Sequence, residues 1–247
     1  MSVTAVIVQA RMTSTRLPGK VLLPLAGHTV LEHVLTRCRA IPGVDVVCCA
    51  IPEGEGGSGL ADEARQTGAV VVAGDEQDVL ARYLKAARAV EADIIMRVTS
   101  DCPAIDPDIC GQVLAALDAS GADYACNNMP RAWPHGLDCE AMTRTALERA
   151  GKEAREPHDR EHVTPWLRRS PEIRRVTLDG PGGDAVAGRW TLDHPEDYAF
   201  FEALFDHLQP LPHIAGYLEI ADVLDVHPEI ATLNADHHDA LPQETRP

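Results

Sequence analysis

The feature that most constrains the fold of this chain is an alternation of short apolar runs with amphipathic segments. Four apolar runs of strand length, rich in β-branched residues, occupy residues 3–8, 44–51, 69–73 and 93–98. Because these runs are apolar nearly throughout rather than at every second residue, they are typical of strands buried on both faces of a parallel sheet. The chain therefore begins with the pattern of a buried sheet.

Helical patterns lie between these runs. Apolar side chains recur at i, i+3, i+4 and i+7 in residues 31–38 and 80–87. Farther along, Asp106 as cap and Pro107 at the first position predict a helix over 107–117, followed by a strand at 124–127. This alternation predicts an α/β fold with a mostly parallel sheet and helices on both faces.

The pattern weakens after residue 128, and the expected elements are shorter. They are a strand at 139–143, a helix near 145–152, a second helix after His158, a Gly-rich hairpin at 181–183, a last strand at 189–192 and a helix beginning at Pro195. The prolines in the segment after Pro210 predict that it contains little helix. Because no repeat or linker divides the chain, we expect one domain over 1–238 with a frayed tail at 239–247.

Charge and cysteine content narrow the function classes. Thirty-eight Asp and Glu against 22 Lys and Arg leave a net charge of −16, which repels nucleic acid and anionic membrane surfaces, so neither is an expected partner. We see no secretory signal and no run of the roughly 20 apolar residues that span a bilayer. The seven cysteines include no C-x-x-C pair and predict reduced thiols in a cytoplasmic protein. The 11 histidines show no metal-ligand spacing.

One loop departs from this acidic character. Residues 9–20, QARMTSTRLPGK, directly follow the first apolar run, and no acidic residue occurs before Glu32. The polar side chains able to surround phosphate oxygens are those of Arg11, Ser14, Thr15, Arg16 and Lys20. Val21 stands where a Walker A loop needs Ser or Thr, so that motif is excluded. The loop predicts a polyphosphate site, and the alternative is a solvated basic loop.

Carboxylates follow two later strands. Asp101 comes directly after the run at 93–98, and Asp193 after the expected last strand. Since Mg²⁺ prefers one or two carboxylates together with phosphate oxygens and water, these residues predict a magnesium site beside the cationic loop. The alternative for Asp193 or His194 is a cap of the helix begun by Pro195, and Asp197 is assigned to that cap.

These residues also carry a family resemblance. The loop at 9–20 resembles the N-terminal signature of the cytidylyltransferases that make CMP-activated acidic sugars, particularly SpsF-type spore-coat polysaccharide proteins and CMP-Kdo synthetases. Similar segments are GDEQDVLARY at 74–83, RVTSDCP at 97–103 and DHPED at 193–197. The resemblance implies a nucleotide-diphospho-sugar transferase fold, GT-A-like and Rossmann-like. The family has Gly where Thr13 and Ser100 stand here.

The resemblance implies a role for each matching residue. The nucleotide-binding residues are Gln9, Ala10, Arg11, Ser14, Thr15, Arg16, Lys20, Gly74, Asp78, Arg82, Thr99 and Ser100. The catalytic residues are Arg11, Arg16, Lys20 and Asp101, and the metal ligands are Asp101 and Asp193. The expected acceptor-binding residues are Arg131, His135, Asp138, Glu140, Arg160 and His162. Arg160 has a structural alternative, an ion pair with Glu161 or Asp159.

The reaction implied is transfer of CMP from CTP to an anionic small molecule, an acidic sugar or a phosphonate or phosphate compound, with release of pyrophosphate. Mg²⁺ is the expected cofactor, and a homodimer is a possible assembly. Two alternatives remain open. One is a GT-A glycosyltransferase acting on a nucleotide sugar, although Asp101 has no partner carboxylate within two residues. The other is a nucleotide-binding subunit without turnover, which the departures at Thr13 and Ser100 leave open.

Overall fold

The computed structural model describes residues 2–54 and 59–240. The strands are β1 (Thr4–Gln9), β2 (Pro24–Leu25), β3 (His28–Thr29), β4 (Val46–Pro52), β5 (Val70–Gly74), β6 (Ile94–Thr99), β7 (Tyr124–Cys126), β8 (Glu140–Thr143) and β9 (Arg175–Thr177). The helices are α1 (Val30–Arg39), α2 (Leu60–Gln66), α3 (Val79–Ala89), α4 (Pro107–Ser120), α5 (Arg144–Glu153), α6 (Pro157–His162), α7 (Pro165–Arg169), α8 (Pro195–Phe205), α9 (Tyr217–Val226) and α10 (Pro228–Ala231).

Seven strands form one sheet in the order β5-β4-β1-β6-β8-β7-β9, and β2 pairs with β3 in a separate hairpin. The pairs β1/β4, β1/β6, β4/β5 and β7/β9 are parallel, whereas β8 runs antiparallel to both of its neighbours. From β1 the sheet continues through β4 to β5 on one side, whereas β6 lies on the other side. The strand order therefore reverses at β1. Ligands of open α/β sheets bind at the carboxyl ends of strands at such a reversal.

Helices cover both faces of the sheet, as predicted. Val6 of β1 packs into a cluster that contains Leu31 of α1, whereas its neighbour Ile7 faces a second cluster that contains Leu80 and Tyr83 of α3. The Tyr83 hydroxyl donates a hydrogen bond to the Ile7 carbonyl at 3.1 Å. Fully burying an aliphatic side chain such as Val6 or Ile7 adds about 1.5–3 kcal/mol to the free energy of unfolding. Packing therefore stabilises the sheet on both faces. The predicted α/β class with a mostly parallel sheet is confirmed.

Several elements predicted after residue 128 are wrong. Residues 189–192 do not form a strand, and only an isolated bridge joins His135 to Arg189. The backbone there bonds to loops instead, with Trp190 N donating to the His135 carbonyl at 2.6 Å and Leu192 N to the Asp101 carbonyl at 2.8 Å. The hairpin expected at 181–183 is replaced by a 3₁₀ turn at Gly183–Ala187.

The segment after Pro210 is more helical than predicted, because it contains α9 and α10. The apolar pattern of α9 is hard to read because Leu218 and Val226 are exposed while Ile220 is buried. The one-turn helix α10 is too short for periodicity to reveal. Residues 241–247 of the expected frayed tail lie outside the described residues.

All seven cysteines are free and buried, as expected for small core residues. Burial raises the pKa of the Cys48 and Cys49 thiols to about 12, so both are protonated at neutral pH. Within the described part of the chain, none of the helices combines the length and the apolar character needed to cross a lipid bilayer.

Candidate active site

A cavity of about 650 Å³ lies at the carboxyl ends of β1 and β6, where the strand order reverses. This volume is within the range of small-molecule sites. The sequence-predicted residues that line it are Gln9, Ala10, Arg11, Ser14, Thr15, Arg16, Lys20, Arg82, Thr99, Ser100, Asp101, His162 and Asp193. The lining residues to which no role was assigned are Thr13, Val21, Glu76, Val79 and Glu161.

The loop after β1 is folded back on itself, which aims its cations at the cavity. The Met12 carbonyl accepts hydrogen bonds from Ser14 N at 3.0 Å and from Gly19 N at 3.1 Å. Gly19 has a φ of 70°, a left-handed conformation that favours glycine, and a 3₁₀ turn over Lys20–Leu22 follows it. The Pro-Gly sequence before Lys20 thus turns the chain so that this lysine returns to the carboxyl end of the sheet.

The Lys20 ammonium joins two carboxylates that are far apart in the sequence. Its Nζ atom lies 3.1 Å from Asp101 Oδ2 and 3.2 Å from Asp193 Oδ1. It also donates to the Leu192 carbonyl at 2.7 Å, and Arg16 forms a second ion pair with Asp193. Three oxygen atoms from two separate loops therefore surround one cation, which places Asp101 and Asp193 in a common site.

The charge state of this site follows from its contacts. Burial disfavours the charge of the Asp101 carboxylate, but the charge of the Lys20 ammonium and hydrogen bonds from Thr99 and Lys20 together outweigh burial and lower the pKa of Asp101 to about 2. Burial likewise disfavours the Lys20 ammonium, while Asp101 and Asp193 raise the pKa of Lys20 above its ordinary value. At neutral pH the site therefore contains an ammonium ion and an ionised Asp101.

The start of α8 shows which acidic residue serves the helix. Asp197 Oδ2 accepts hydrogen bonds from the backbone N–H groups of Asp193 and His194, both at 2.9 Å. The same carboxylate forms a buried, two-pronged ion pair with Arg189, with both N–O distances 2.7 Å. Asp197 thus stabilises the helix start, as expected, and the Asp193 carboxylate is left to face Arg16 and Lys20.

Residues 74–83 form and brace the loop between β5 and α3, beside the cavity. Arg82 is buried and donates hydrogen bonds to the carbonyls of Asp75 and Glu76, which shapes the loop between β5 and α3. A Cβ atom at Gly74 would lie 3.0 Å from Arg82 Cγ, so glycine permits this close packing. Asp78 caps α3 by accepting from Ala81 N at 2.9 Å. Neither Gly74 nor Asp78 is among the residues that line the cavity.

The two departures from the family pattern are accommodated locally. Thr13 and Ser100 both have negative φ angles, so their side chains cause no left-handed strain. The Thr13 hydroxyl bonds to Glu76 Oε1 at 3.1 Å, which joins the loop after β1 to the loop after β5. Ser100 N donates to the Gln9 carbonyl at 3.2 Å. These side chains fit the site that the backbone forms.

Comparison with known proteins identifies the family. The model of a protein family described as cytidylyltransferase matches residues 5–219. The chain belongs to the cytidylyltransferase family. It is 32% identical over 234 residues to the spore coat polysaccharide biosynthesis protein SpsF of Bacillus subtilis, covering 92% of this chain and 95% of that protein.

Solved structures agree with this assignment. A cytidylyltransferase from Leptospira borgpetersenii superposes with a TM-score of 0.87 at 29% identity, covering 94% of this chain and 97% of that one. The CMP:2-keto-3-deoxy-manno-octonic acid synthetase complexed with CTP shares the fold, with a TM-score of 0.64 at 19% identity over 83% of this chain and 99% of that one.

Most of the residues expected on the acceptor side lie outside the cavity of this cytidylyltransferase. Only His162 lines it, and the others, Arg131, His135, Asp138, Glu140 and Arg160, do not. Arg160 donates to Asp78 Oδ2 at 3.0 Å through Nε and to the Gly151 carbonyl at 3.1 Å. Its carboxylate partner is therefore Asp78 rather than Glu161 or Asp159.

Two of the expected acceptor-binding residues, Asp138 and Glu140, instead make hydrogen bonds and ion pairs within the protein beside the cavity. Asp138 accepts from His135 Nδ1 at 2.9 Å and from Asn128 Nδ2 at 3.1 Å. Burial raises its pKa, but the His135 hydrogen bond and the charge of Arg131 outweigh burial and hold the pKa of Asp138 well below its usual range. Glu140 is buried and its interactions belong to a separate ion-pair cluster. That cluster joins Glu140 to Arg97 at 2.6 Å, to Arg168 at 2.9 Å and to the Tyr124 hydroxyl.

Proposed function

We propose that this cytidylyltransferase transfers CMP from CTP to an anionic small-molecule acceptor and releases pyrophosphate. The observation that carries the proposal is the convergence of Lys20, Arg16, Asp101 and Asp193 in one cavity at the strand-order reversal. Cations there can bind the triphosphate, while carboxylates can hold a divalent ion against its oxygens. The preference for cytosine follows from the family.

The donor set fits Mg²⁺. The side-chain oxygens of Asp101 and Asp193 and the Leu192 carbonyl all face one point, now taken by the Lys20 ammonium. Magnesium prefers such oxygen ligands and keeps several waters, so Asp101 and Asp193 would hold it. When bound, the ion supplies Lewis acidity and a template for the phosphate oxygens.

In the reaction, an acceptor oxygen forms a bond to the α-phosphorus of CTP. The bond from that phosphorus to the oxygen shared with the β-phosphate breaks, and pyrophosphate leaves with the electron pair. Negative charge grows on the leaving pyrophosphate and on the α-phosphate oxygens. Arg11, Arg16 and Lys20 line the cavity where they can stabilise this charge. Where the attacking oxygen belongs to a hydroxyl group, its proton passes to solvent as the bond to phosphorus forms, and no protein base is assigned.

Among the residues that line the cavity, Arg11 and His162 can contact an acceptor anion, whereas Glu76 and Glu161 are acidic. Burial and the neighbouring His158 lower the pKa of His162, and the positive charges of Arg97 and Arg11 act in the same direction. The nearby Glu161 acts in the opposite direction, and the net effect favours neutral His162, whose ring N–H can donate a hydrogen bond to an anionic oxygen. Because Arg131 and Arg160 lie outside the cavity, Arg11 and His162 are the cavity residues that support binding of an acceptor anion.

A pyrophosphate-release assay tests the proposal. Each of the four nucleoside triphosphates is incubated with Mg²⁺ and a panel of acceptors that includes 3-deoxy sugar acids, neutral sugars and phosphonates. We expect pyrophosphate to be released only when CTP is combined with an anionic acceptor. A parallel incubation supplies a nucleotide sugar in place of the triphosphate, and its consumption would indicate a glycosyltransferase instead. Tight CTP binding without turnover on any acceptor would favour a non-catalytic nucleotide-binding subunit.

A further inference from the structure

Two histidines and one glutamate meet on the surface at the start of α8, outside the cavity. His194 precedes the helix, Glu196 lies in its first turn, and His237 comes from the C-terminal segment. One ligand atom of each residue lies within 4.8 Å of one ligand atom of the other two. Among the side chains that the structure describes, in residues 2–54 and 59–237, no other set of three His, Cys, Asp or Glu side chains meets this condition. Spacing in the sequence gives no sign of the group.

We propose that His194, Glu196 and His237 form a zinc site that ties the C-terminal segment to α8. Two imidazoles and one carboxylate are a ligand set that zinc accepts, with the fourth tetrahedral position open to water. His237 Nε2 and Glu196 Oε2 are 3.2 Å apart. Two ligands of one tetrahedral zinc with bonds of 2.0–2.1 Å lie about 3.3 Å apart, so this pair already has a suitable separation.

The third ligand needs only a side-chain rotation. The rings of His194 and His237 are stacked, with centroids 3.9 Å apart and planes inclined by 14°. The nitrogen lone pairs of two stacked rings lie in nearly parallel planes, whereas the lone pairs of two ligands of one ion must converge on it. Rotation of the partly exposed His194 ring about its Cα–Cβ and Cβ–Cγ bonds turns a nitrogen toward the ion, since both are single bonds.

A buried network fixes the backbone of both histidines. Asp197 accepts from the His194 N–H at 2.9 Å and, through its other oxygen, from Asn234 Nδ2 at 3.0 Å. The Asn234 side chain also donates to the Arg189 backbone carbonyl at 3.0 Å. The backbone carbonyl of Asn234 accepts from His237 N at 3.2 Å. One buried carboxylate therefore positions the two segments that supply the imidazoles, which is the kind of support that a metal site requires.

Ligand type distinguishes this site from the proposed magnesium site. Imidazole nitrogens favour zinc and related transition ions, whereas the Asp101 and Asp193 site offers oxygen alone. The net charge of −16 attracts divalent cations to the surface in general but selects none of them. The zinc site therefore does not depend on the nucleotidyl-transfer reaction.

Calorimetric titration of the chelator-treated protein with Zn²⁺, in excess Mg²⁺ to occupy the carboxylate site, tests the proposal. We expect one zinc ion per chain. His237→Gln and Glu196→Gln should each weaken zinc binding by at least the 10- to 100-fold that loss of a supporting partner costs in metal sites. Co²⁺ substituted for Zn²⁺ should give the visible absorption of a tetrahedral site with mixed nitrogen and oxygen ligands.

His227→Gln is the matched control. His227 stacks on His207 with ring centroids 4.0 Å apart and lies 3.3 Å from Glu229, but these three residues do not form a comparable ligand cluster. Zinc affinity should be unchanged in this variant. The proposal is overturned by equal zinc affinity in the wild type, His237→Gln and Glu196→Gln, or by wild-type binding that needs millimolar zinc.

Discussion

The Lys20 ammonium lies 3.1 Å from Asp101 Oδ2, although 81 positions separate the two residues in the chain. The contact places a cation where a divalent ion would have to bind. The ammonium and the proposed divalent ion would therefore compete for the same carboxylates, and a bound nucleotide would relieve this competition because its phosphates offer Lys20 other negative partners.

This competition predicts the behaviour of Lys20→Met. Without nucleotide, the variant should bind Mn²⁺, a spectroscopic substitute for Mg²⁺, at least tenfold more tightly than the wild type, because the carboxylates lose their internal partner. Its turnover should fall, since the cation that faces the phosphates is missing. Electron paramagnetic resonance of free Mn²⁺ measures the affinity. Lys85→Met, which removes an exposed lysine paired with Glu53, is the control, and weaker Mn²⁺ binding by Lys20→Met would contradict the prediction.

Asp101→Asn should lower turnover by about 100-fold or more, the scale of losing one preorganised electrostatic partner at a reacting centre. The amide has the size of the carboxylate, so the circular dichroism spectrum should not change. Steady-state pyrophosphate release measures the effect. Asp62→Asn, which changes an exposed residue paired with Arg65, should retain full activity. Turnover by Asp101→Asn equal to that of the wild type would remove Asp101 from the site.

Arg16→Ala should weaken CTP binding more than CMP binding, because the loop after β1 is expected to hold the terminal phosphates. A charged hydrogen bond contributes about 1.5–3 kcal/mol, which corresponds to roughly a 10- to 150-fold loss in affinity. Arg16 also pairs with Asp193, so part of the loss is offset when that carboxylate becomes free to bind the metal. Calorimetry with both nucleotides measures the difference. Arg65→Ala is the control, and equal losses for CTP and CMP would place Arg16 away from the terminal phosphates.

Arg160→Ala should lower the melting temperature and leave the KM for the acceptor unchanged. The residue pairs with Asp78 and with the Gly151 carbonyl, which joins α6 to α3 and α5, and it lies outside the cavity. His162→Ala should show the opposite pattern, because His162 lines the cavity. Acceptor saturation curves and thermal unfolding of both variants make the comparison. A raised acceptor KM in Arg160→Ala alone would return this arginine to the acceptor site.

Acid unfolding should depend on Glu140. Burial disfavours its charge, but Arg168 and Arg97 outweigh burial and lower its pKa from 4.5 to about 2. A lowered folded-state pKa adds stability that is complete above pH 4.5 and lost as the pH falls toward 2, a difference of roughly 3 kcal/mol. Glu140→Gln should flatten the dependence of the unfolding free energy on pH in this window. It should also destabilise the protein at pH 7, because two partly buried arginines, Arg97 and Arg168, lose their partner. Urea denaturation between pH 2 and 7 measures both effects, and an unchanged slope would contradict the prediction.

The sequence predicted those parts of the site that follow directly from strand ends. The loop at 9–20, Asp101 and Asp193 meet because the first two follow neighbouring parallel strands and the third follows a segment that bonds to the loop containing Asp101. No sequence pattern indicated the contacts that long side chains make between helices. The pairing of Arg160 with Asp78 depends on how α6 packs against α3, which local pattern does not encode.

The same limit explains the errors after residue 128. Residues 189–192 alternate polar and apolar side chains and contain the strand-favouring residues Trp190 and Thr191, but their hydrogen-bonding partners are loops. Composition reports that a segment is buried and does not report which backbone lies beside it. The link between Thr13 and Glu76 was also missed, because a single hydroxyl and a single carboxylate on two loops form no recurring pattern.

The dependence of the Lys20 cluster on Leu192 and Asp193 has a consequence for a chain that is still being synthesised. A nascent polypeptide that has emerged only as far as Asp101 contains the cationic loop and one carboxylate, but it lacks two of the three oxygens that surround the Lys20 ammonium. Assembly of this cluster must wait until Asp193, which follows Asp101 by 92 residues, has left the ribosome. The proposed active centre therefore forms late, and a product terminated before Asp193 would lack the complete Lys20 cluster.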